Sequence, residues 1–311
     1  MNRRFFSALA LTAMMASSAL AWDSDRYKED FRFSYKLAPN GRISMEGFNG
    51  SIDITGWDRD EVEVTGTKFA STEEILKSIR VNIANTADSV TIKTERPSGD
   101  RGWWSNGGGG VKFVLRVPRK VQLERIASSN GGVRVEALEG NMRLTTSNGT
   151  IRVAAVKGSL DLNTSNGGIE LNDVNGGMML RTSNGTIRAD NVKGAFEAST
   201  SNGAIRARLE AVPPSAPIRA TSSNGSVELT LPNFKDNDVR VTTSNSAITL
   251  RLPPAANAQV KASTSNSSIT TDFEVSVRGA ISKNRLEGKI GNGGALLDLS
   301  SSNGAIRVVK M

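Results

Sequence analysis

The chain of 311 residues contains no cysteine, no histidine and only nine prolines, and aromatic residues make up 5% of it. Without cysteine there are no disulfides, thiol nucleophiles or thiolate metal sites. Without histidine there is no imidazole base and no His-bound zinc. Past the N-terminal segment no apolar run is long enough to span a bilayer. The few aromatics do not interleave with the basic residues, which argues against a nucleic-acid partner. Only carboxylates, hydroxyls, amides and a surplus of Lys and Arg remain to carry function, with a formal net charge of +8.

The first residues have the features of an export signal. Arg3 and Arg4 precede a mostly apolar stretch from Phe5 to Leu20, and Ala19-Leu20-Ala21 supplies the small residues of a cleavage site. Residues 1–21 are therefore expected to be removed, leaving a chain that acts in the periplasm, outside the cell or on its surface. Stability in that compartment must come from stacking and backbone hydrogen bonds.

What the chain has in abundance is the tripeptide Ser-Asn-Gly. Its asparagine recurs at Asn130, Asn148, Asn166, Asn184 and Asn202, each 18 residues after the last, then more loosely at Asn224, Asn245, Asn266 and Asn303. A repeat this short, carried by alternating segments, is the pattern of a β-solenoid. Six and four residues before each Asn stand apolar pairs such as Met142 and Leu144, or Leu160 and Leu162. Three and five residues after it stand Ile151 and Val153, or Ile169 and Leu171. A spacing of two puts each pair on one face of a short strand. Each coil thus has two strands facing a narrow core, with Leu138, Val156, Val174 and Val192 plugging the far corner. Asn-Gly is expected to turn one corner through positive φ, and Gly140, Gly158, Gly176 and Gly194 to turn the other. Coils stacked about 4.8 Å apart would align the asparagines in an amide ladder, with Thr146, Thr164, Thr182 and Thr200 stacked inside it. Parallel crossovers are nearly always right-handed. The expected fold is therefore all-β, a right-handed parallel β-helix or β-roll solenoid with coils of about 18 residues over 126–311.

Residues 22–125 form an irregular N-terminal cap and the first coils. Ile43, Met45, Asn49, Gly50, Ile52 and Ile54 already fit the coil. Strand patterns follow at Glu61–Val64, Val90–Ile92 and Val111–Val117, and Ser71 with Glu74 predicts a capping box before a short helix. Gly50-Ser51-Ile52-Asp53-Ile54-Thr55-Gly56-Trp57-Asp58, the alternating Phe113, Leu115 and Val117 closed by Pro118, the Asn-Gly coils, Thr271 to Val275 and the glycine-rich Gly288 to Gly294 together resemble the putative adhesin family of bacterial envelope proteins, a domain of unknown function. The resemblance covers nearly all of the chain after residue 21. It implies a parallel β-helix, export and an adhesive or surface role, and it brings no catalytic residues with it.

No enzyme, cofactor or metal site is expected. Asp161 and Glu170 share a coil but sit at outward positions, as solvated carboxylates do. The paired glycines lack the following Asp of calcium-binding β-rolls. The most distinctive outward column contains Arg134, Arg152, Arg188 and Arg206, with Glu170 between them and Glu228, Thr249, Thr270 and Arg307 beyond. Such a stripe either binds phosphate, sulfate or uronate groups of an anionic polymer or is a solvated ladder relieved by its glutamates. Trp103 and Trp104 either grip a sugar or a protein partner or close an end of the solenoid. The outward Ser and Thr columns, such as Ser147, Ser165, Ser183 and Ser201, serve turns. Partner classes are thus an anionic envelope polysaccharide, another envelope protein acting in a scaffold, or a second copy pairing through the C-terminal strand Ala305–Val309. A polysaccharide-cleaving enzyme is the least favoured class.

Overall fold

The computed structural model describes residues 26–95, 108–277 and 282–311. Two long sheets face each other, one of 13 strands (sheet I) and one of 14 (sheet II), and successive coils contribute one strand to each. Through the middle of the molecule the stacking is parallel and in register. Ile151, Val153 and Val156 lie between Val133, Val135 and Leu138 on one side and Ile169, Leu171 and Val174 on the other. On sheet II, Met142 and Leu144 stack on Leu160 and Leu162. All of these side chains are buried, and a single core runs the length of the solenoid. The alternation of apolar and polar residues sets this architecture, because each strand has one face turned inward.

One corner of each coil turns as expected and the other does not. At Ser-Asn-Gly neither residue after the serine has positive φ from Asn130 onward; only Gly50, in the first Asn-Gly turn, does. Glycine is needed there for space. A Cβ on Gly149, Gly167, Gly185 or Gly203 would lie within 2.0 Å of the carbonyl oxygen of the glycine one coil below. Positive φ belongs to the opposite corner, at Gly140, Gly158, Gly176 and Gly194 and also at Ala137, Ala155, Asp173 and Asn191 three residues earlier. The left-handed conformation strains an alanine. Ala155→Gly is therefore expected to be neutral to stabilising by about 0–1 kcal/mol, as checked by its shift in thermal unfolding.

The buried threonines do not bond one another. Thr146 Oγ1 donates to Gly131 O in the coil below at 2.9 Å and accepts from Gly149 N at 3.3 Å, and Thr164 repeats this with Gly149 O and Gly167 N at 3.0 and 3.2 Å. Each hydroxyl thus ties one coil to the next through the main chain. Outside, Asn148 Nδ2 donates to Asn130 Oδ1 at 2.6 Å and Asn166 Nδ2 to Asn148 Oδ1 at 2.7 Å. This amide ladder begins at Asn49, which accepts from Asn130.

The order of coils in space departs from their order in sequence at both ends. The first coil, Gly41–Glu46 with Ile52–Trp57, stacks beneath Val121–Ser128 and Val133–Glu139. The later strands Ser89–Glu95 and Gly109–Pro118 lie outside it. At the other end Leu296–Ser301 and Ile306–Lys310 insert between the coil of Val239–Thr243 and Ile248–Leu252 and the coil of Ala258–Thr264 and Ile269–Thr271. The asparagine ladder follows space, running Asn245, Asn303, Asn266. The C-terminal strand is therefore not the free edge expected. Ile306–Lys310 pairs along its length with Ile248–Leu252, and its residues Ile306–Val308 pair on the other side with Ile269–Thr271, which takes most of the Ala305–Val309 edge out of reach of a second copy.

Antiparallel strands close both sheets at the N-terminal end and sheet II at the other, where sheet I ends on the parallel strand Ile269–Thr271. Tyr27–Lys36 and Glu61–Ala70 extend sheet I beyond Gly109–Pro118, and Arg80–Asn85 edges sheet II. Arg285–Ile290 and Val275–Val277 close sheet II at the far end. The short helix Glu73–Ser78 starts one residue later than its capping signal, with Thr72 accepting from Ile75 N. Among the described residues no helix is long and apolar enough to cross a membrane.

Candidate functional site

The outer face of sheet I holds the arginine column. In spatial order it reads Asp53, Arg134, Arg152, Glu170, Arg188, Arg206, Glu228, Thr249, Arg307 and Thr270; the last two are exchanged relative to sequence because the C-terminal coil is inserted. Each side chain is exposed or half-exposed, since every second residue of a strand over a single core points to solvent. The four arginines are thus brought together on one face, with neighbours about 4.8 Å apart along the stack.

They are not equivalent. Arg134 pairs with Glu136 at 3.0 Å, and Arg152 with Glu170 at 2.9 Å. Among the described residues Arg188 and Arg206 have no carboxylate within ion-pairing distance. Glu228, the next acid along the column, pairs with Arg251 at 3.0 Å. Two adjacent guanidinium groups are therefore left outside any ion pair among the described residues, although Glu170 is the cross-strand neighbour of Arg188.

A shallow depression of about 370 Å³ lies against the column, lined by Arg134, Arg152, Glu170 and Arg188 together with Asn172 and Asp190. Asn172 and Asp190 sit two residues on from Glu170 and Arg188, at the same outward parity, and that spacing could have found them in the sequence. At the edge of this face Lys157 bonds Glu139 at 3.1 Å, and its hydrogen bond and charge hold the Glu139 carboxyl below the usual glutamate range.

Sheet II has a larger depression, about 910 Å³, lined in part by Arg42, Glu124, Arg143, Asp161, Met179 and Glu197. Its charges are already matched: Arg143 and Arg181 reach Asp161 at 3.0 and 3.5 Å, and Arg219 reaches Glu197 at 3.7 Å. Exposed ion pairs of this kind contribute little to stability, but they cancel the local field. Volume favours sheet II and uncompensated charge favours sheet I; for an ionic ligand the charge decides.

Asp161 and Glu170, the two carboxylates of one coil, belong to different sheets and so lie on opposite outer faces. They cannot flank one scissile bond. Among the described residues no group of three carboxylates is gathered as a metal would require. Trp103 and Trp104 lie outside the described residues.

A stacked parallel solenoid with antiparallel end strands and an arginine column on one flat face defines the structural class. The chain belongs to the Toastrack DUF4097 family, whose family model matches residues 42–309. It is similar over most of its length to several solved structures. One, described as a putative adhesin from Bacteroides fragilis NCTC 9343, is 13% identical with a TM-score of 0.40, covering 91% of this chain and 97% of that one. A second, described as a putative adhesin from Parabacteroides merdae ATCC 43184, is 10% identical with a TM-score of 0.34, covering 91% and 96%. A third, described as a putative lipid binding protein from Parabacteroides distasonis ATCC 8503, is 10% identical with a TM-score of 0.33, covering 93% and 98%. No curated protein matches the chain.

Proposed function

We propose that this protein is an exported, non-enzymatic β-solenoid that binds anionic polymers of the envelope or cell surface along the arginine column of sheet I. The observation that carries this reading is the adjacent pair Arg188 and Arg206, both without a carboxylate partner among the described residues and both on an open, flat face. A guanidinium offers a planar fork of donors that matches carboxylate, sulfate and phosphate oxygens. A flat ladder meets a linear polymer better than it encloses a small molecule. The separation of Asp161 from Glu170 supports a binding role over hydrolysis.

The test is binding of the protein to a panel of lipopolysaccharide, peptidoglycan and acidic polysaccharides at low and high salt. Arg188→Ala with Arg206→Ala is expected to weaken binding by about tenfold per arginine, and raised salt to weaken the parent in the same direction. Arg134→Ala with Arg152→Ala should cost less, because those side chains already have partners. Binding that ignores both salt and the Arg188/Arg206 pair would retire the column. The reading would then pass to an envelope scaffold acting through protein contacts, which the free outer side of the edge strand Tyr27–Lys36 favours.

A further inference from the structure

The long free edge of this molecule is the strand Tyr27–Lys36. It pairs along its whole length with Glu61–Ala70 on one side, and among the described residues nothing pairs with its other side. Free edges are ordinarily guarded by charge, and this strand carries Lys28, Glu29, Asp30, Arg32 and Lys36. The guard depends on register, however, because opposite charges facing each other attract.

Alternate residues of an edge strand point their backbone groups outward. Two copies of one strand can therefore pair antiparallel only when odd-numbered residues meet odd and even meet even, so the twofold axis passes through a single residue. An axis at Arg32 sets Arg32 against itself and Lys28 against Lys36. An axis at Asp30 sets Asp30 against itself and Lys28 against Arg32. An axis at Phe33 shortens the pairing to Asp30–Lys36. An axis at Phe31 places Asp30 opposite Arg32 twice, Tyr27 opposite Tyr35 twice, and Phe31 opposite Phe31. The one like-charged meeting in that register, Arg26 with Lys36, falls at its frayed end.

The two faces of the strand fit the same register. Phe31, Phe33 and Tyr35 form a row with ring centroids 5.8 and 6.4 Å apart, and Phe31 meets Phe113 edge-on at 5.7 Å. Phe33 is 41% exposed, the rim of a core that stops at this edge. On the other face Arg32 pairs with Glu63 but keeps 71% of its side chain exposed, and among the described residues Asp30 accepts only from Thr67 Oγ1, at 2.6 Å. Both can reach a partner strand.

We infer that two copies of this protein join end to end through Tyr27–Lys36, paired antiparallel about Phe31 so that sheet I runs continuously from one copy into the other. Phe31 then meets Phe31 and Tyr27 meets Tyr35 across one face, with Phe33 opposite Glu29, and Asp30–Arg32 pairs form across the other. The twofold contact closes on itself and stops at a dimer. The inference stands independently of polymer binding, since the arginine column lies several coils away.

Sedimentation of the purified protein over a range of concentrations tests it. A concentration-dependent dimer is expected. Asp30→Arg should weaken it by about tenfold or more, because the introduced guanidinium would then face Arg32 of the other copy on both sides of the axis. Adding Arg32→Asp should restore it by exchanging the charges. Thermal unfolding of each variant separates loss of pairing from loss of fold. Because the chain has no cysteine, Phe31→Cys gives a second readout: cross-strand Cα distances near the twofold axis allow a disulfide. Oxidation should cross-link the Phe31→Cys variant and not a Lys28→Cys variant. A protein monomeric at every concentration, or a dimer unmoved by both Asp30→Arg and the double exchange, overturns the inference.

Discussion

Gly167→Ala is expected to destabilise the middle of the solenoid by about 2–4 kcal/mol. The added Cβ would lie 1.8 Å from Gly149 O and 2.4 Å from its carbonyl carbon. Those atoms are main chain, so no rotamer change can make room. The coils must part, and parting them stretches the hydrogen bonds of both sheets. The adjacent Gly168 is an internal control: the equivalent places in other coils hold Thr150, Thr186, Ala204 and Ser226. Gly168→Ala should therefore change stability by less than about 1 kcal/mol. Ser246 and Ser267 stand in the glycine column near the C-terminal end, with Ser246 Oγ bonded to Asn224 O, so the full cost belongs to the central run of glycine on glycine. Thermal unfolding followed by circular dichroism compares the pair. Equal losses would show that close approach is not what the first glycine provides.

Thr164→Val should cost nearly as much, although it conserves shape. The hydroxyl is buried and serves two main-chain groups, Gly149 O and Gly167 N. Valine leaves both without a partner, at about 1–3 kcal/mol for each buried group. Thr164→Ser should cost about 1 kcal/mol for the lost methyl. The chain itself makes that substitution at Ser222 and Ser301, where serine forms the same two bonds. Denaturant midpoints of the two variants should thus separate widely. If valine and serine prove alike, the hydroxyl bridge contributes nothing and the column is there for packing alone.

Most of the architecture was legible in the sequence because it repeats. The apolar pairs at fixed offsets from each asparagine place Leu144, Ile151 and their counterparts in the core, and the outward parity of Arg188 and Arg206 follows from the same count. Two things were hidden for physical reasons. A coil's sequence says that it will stack but not on which neighbour, since the faces of Val239–Thr243 offer Leu296–Ser301 and Ala258–Thr264 nearly the same apolar partners. The inserted coils at both ends were therefore invisible. The reason for each glycine was hidden too, because Asn-Gly suits positive φ and close approach equally well until the coil below is in place. At the candidate site the column was readable, whereas its pairing was not. Glu136 and Glu170 neutralise Arg134 and Arg152 while leaving Arg188 and Arg206 alone, and that depends on side-chain reach across strands.

The inserted coils change how the molecule answers force. In a simple stack, tension on the last residues peels one layer after another, each giving way alone. Here a pull on Lys310 loads Ile306–Lys310, which is held by Ile248–Leu252 beneath and Ile269–Thr271 above. A pull from the other end passes through Tyr27–Lys36 to Gly41–Glu46, clasped between Ser89–Glu95 and Val121–Ser128. The C-terminal tail cannot be drawn out without sliding a strand from between two others. At the N-terminal end the same holds for Gly41–Glu46 once the edge strand Tyr27–Lys36 has been stripped from Glu61–Ala70, so the load then falls on many bonds in shear at once. A rod anchored by its tails and tugged by whatever it grips would hold like a buckle where a plain stack would unzip.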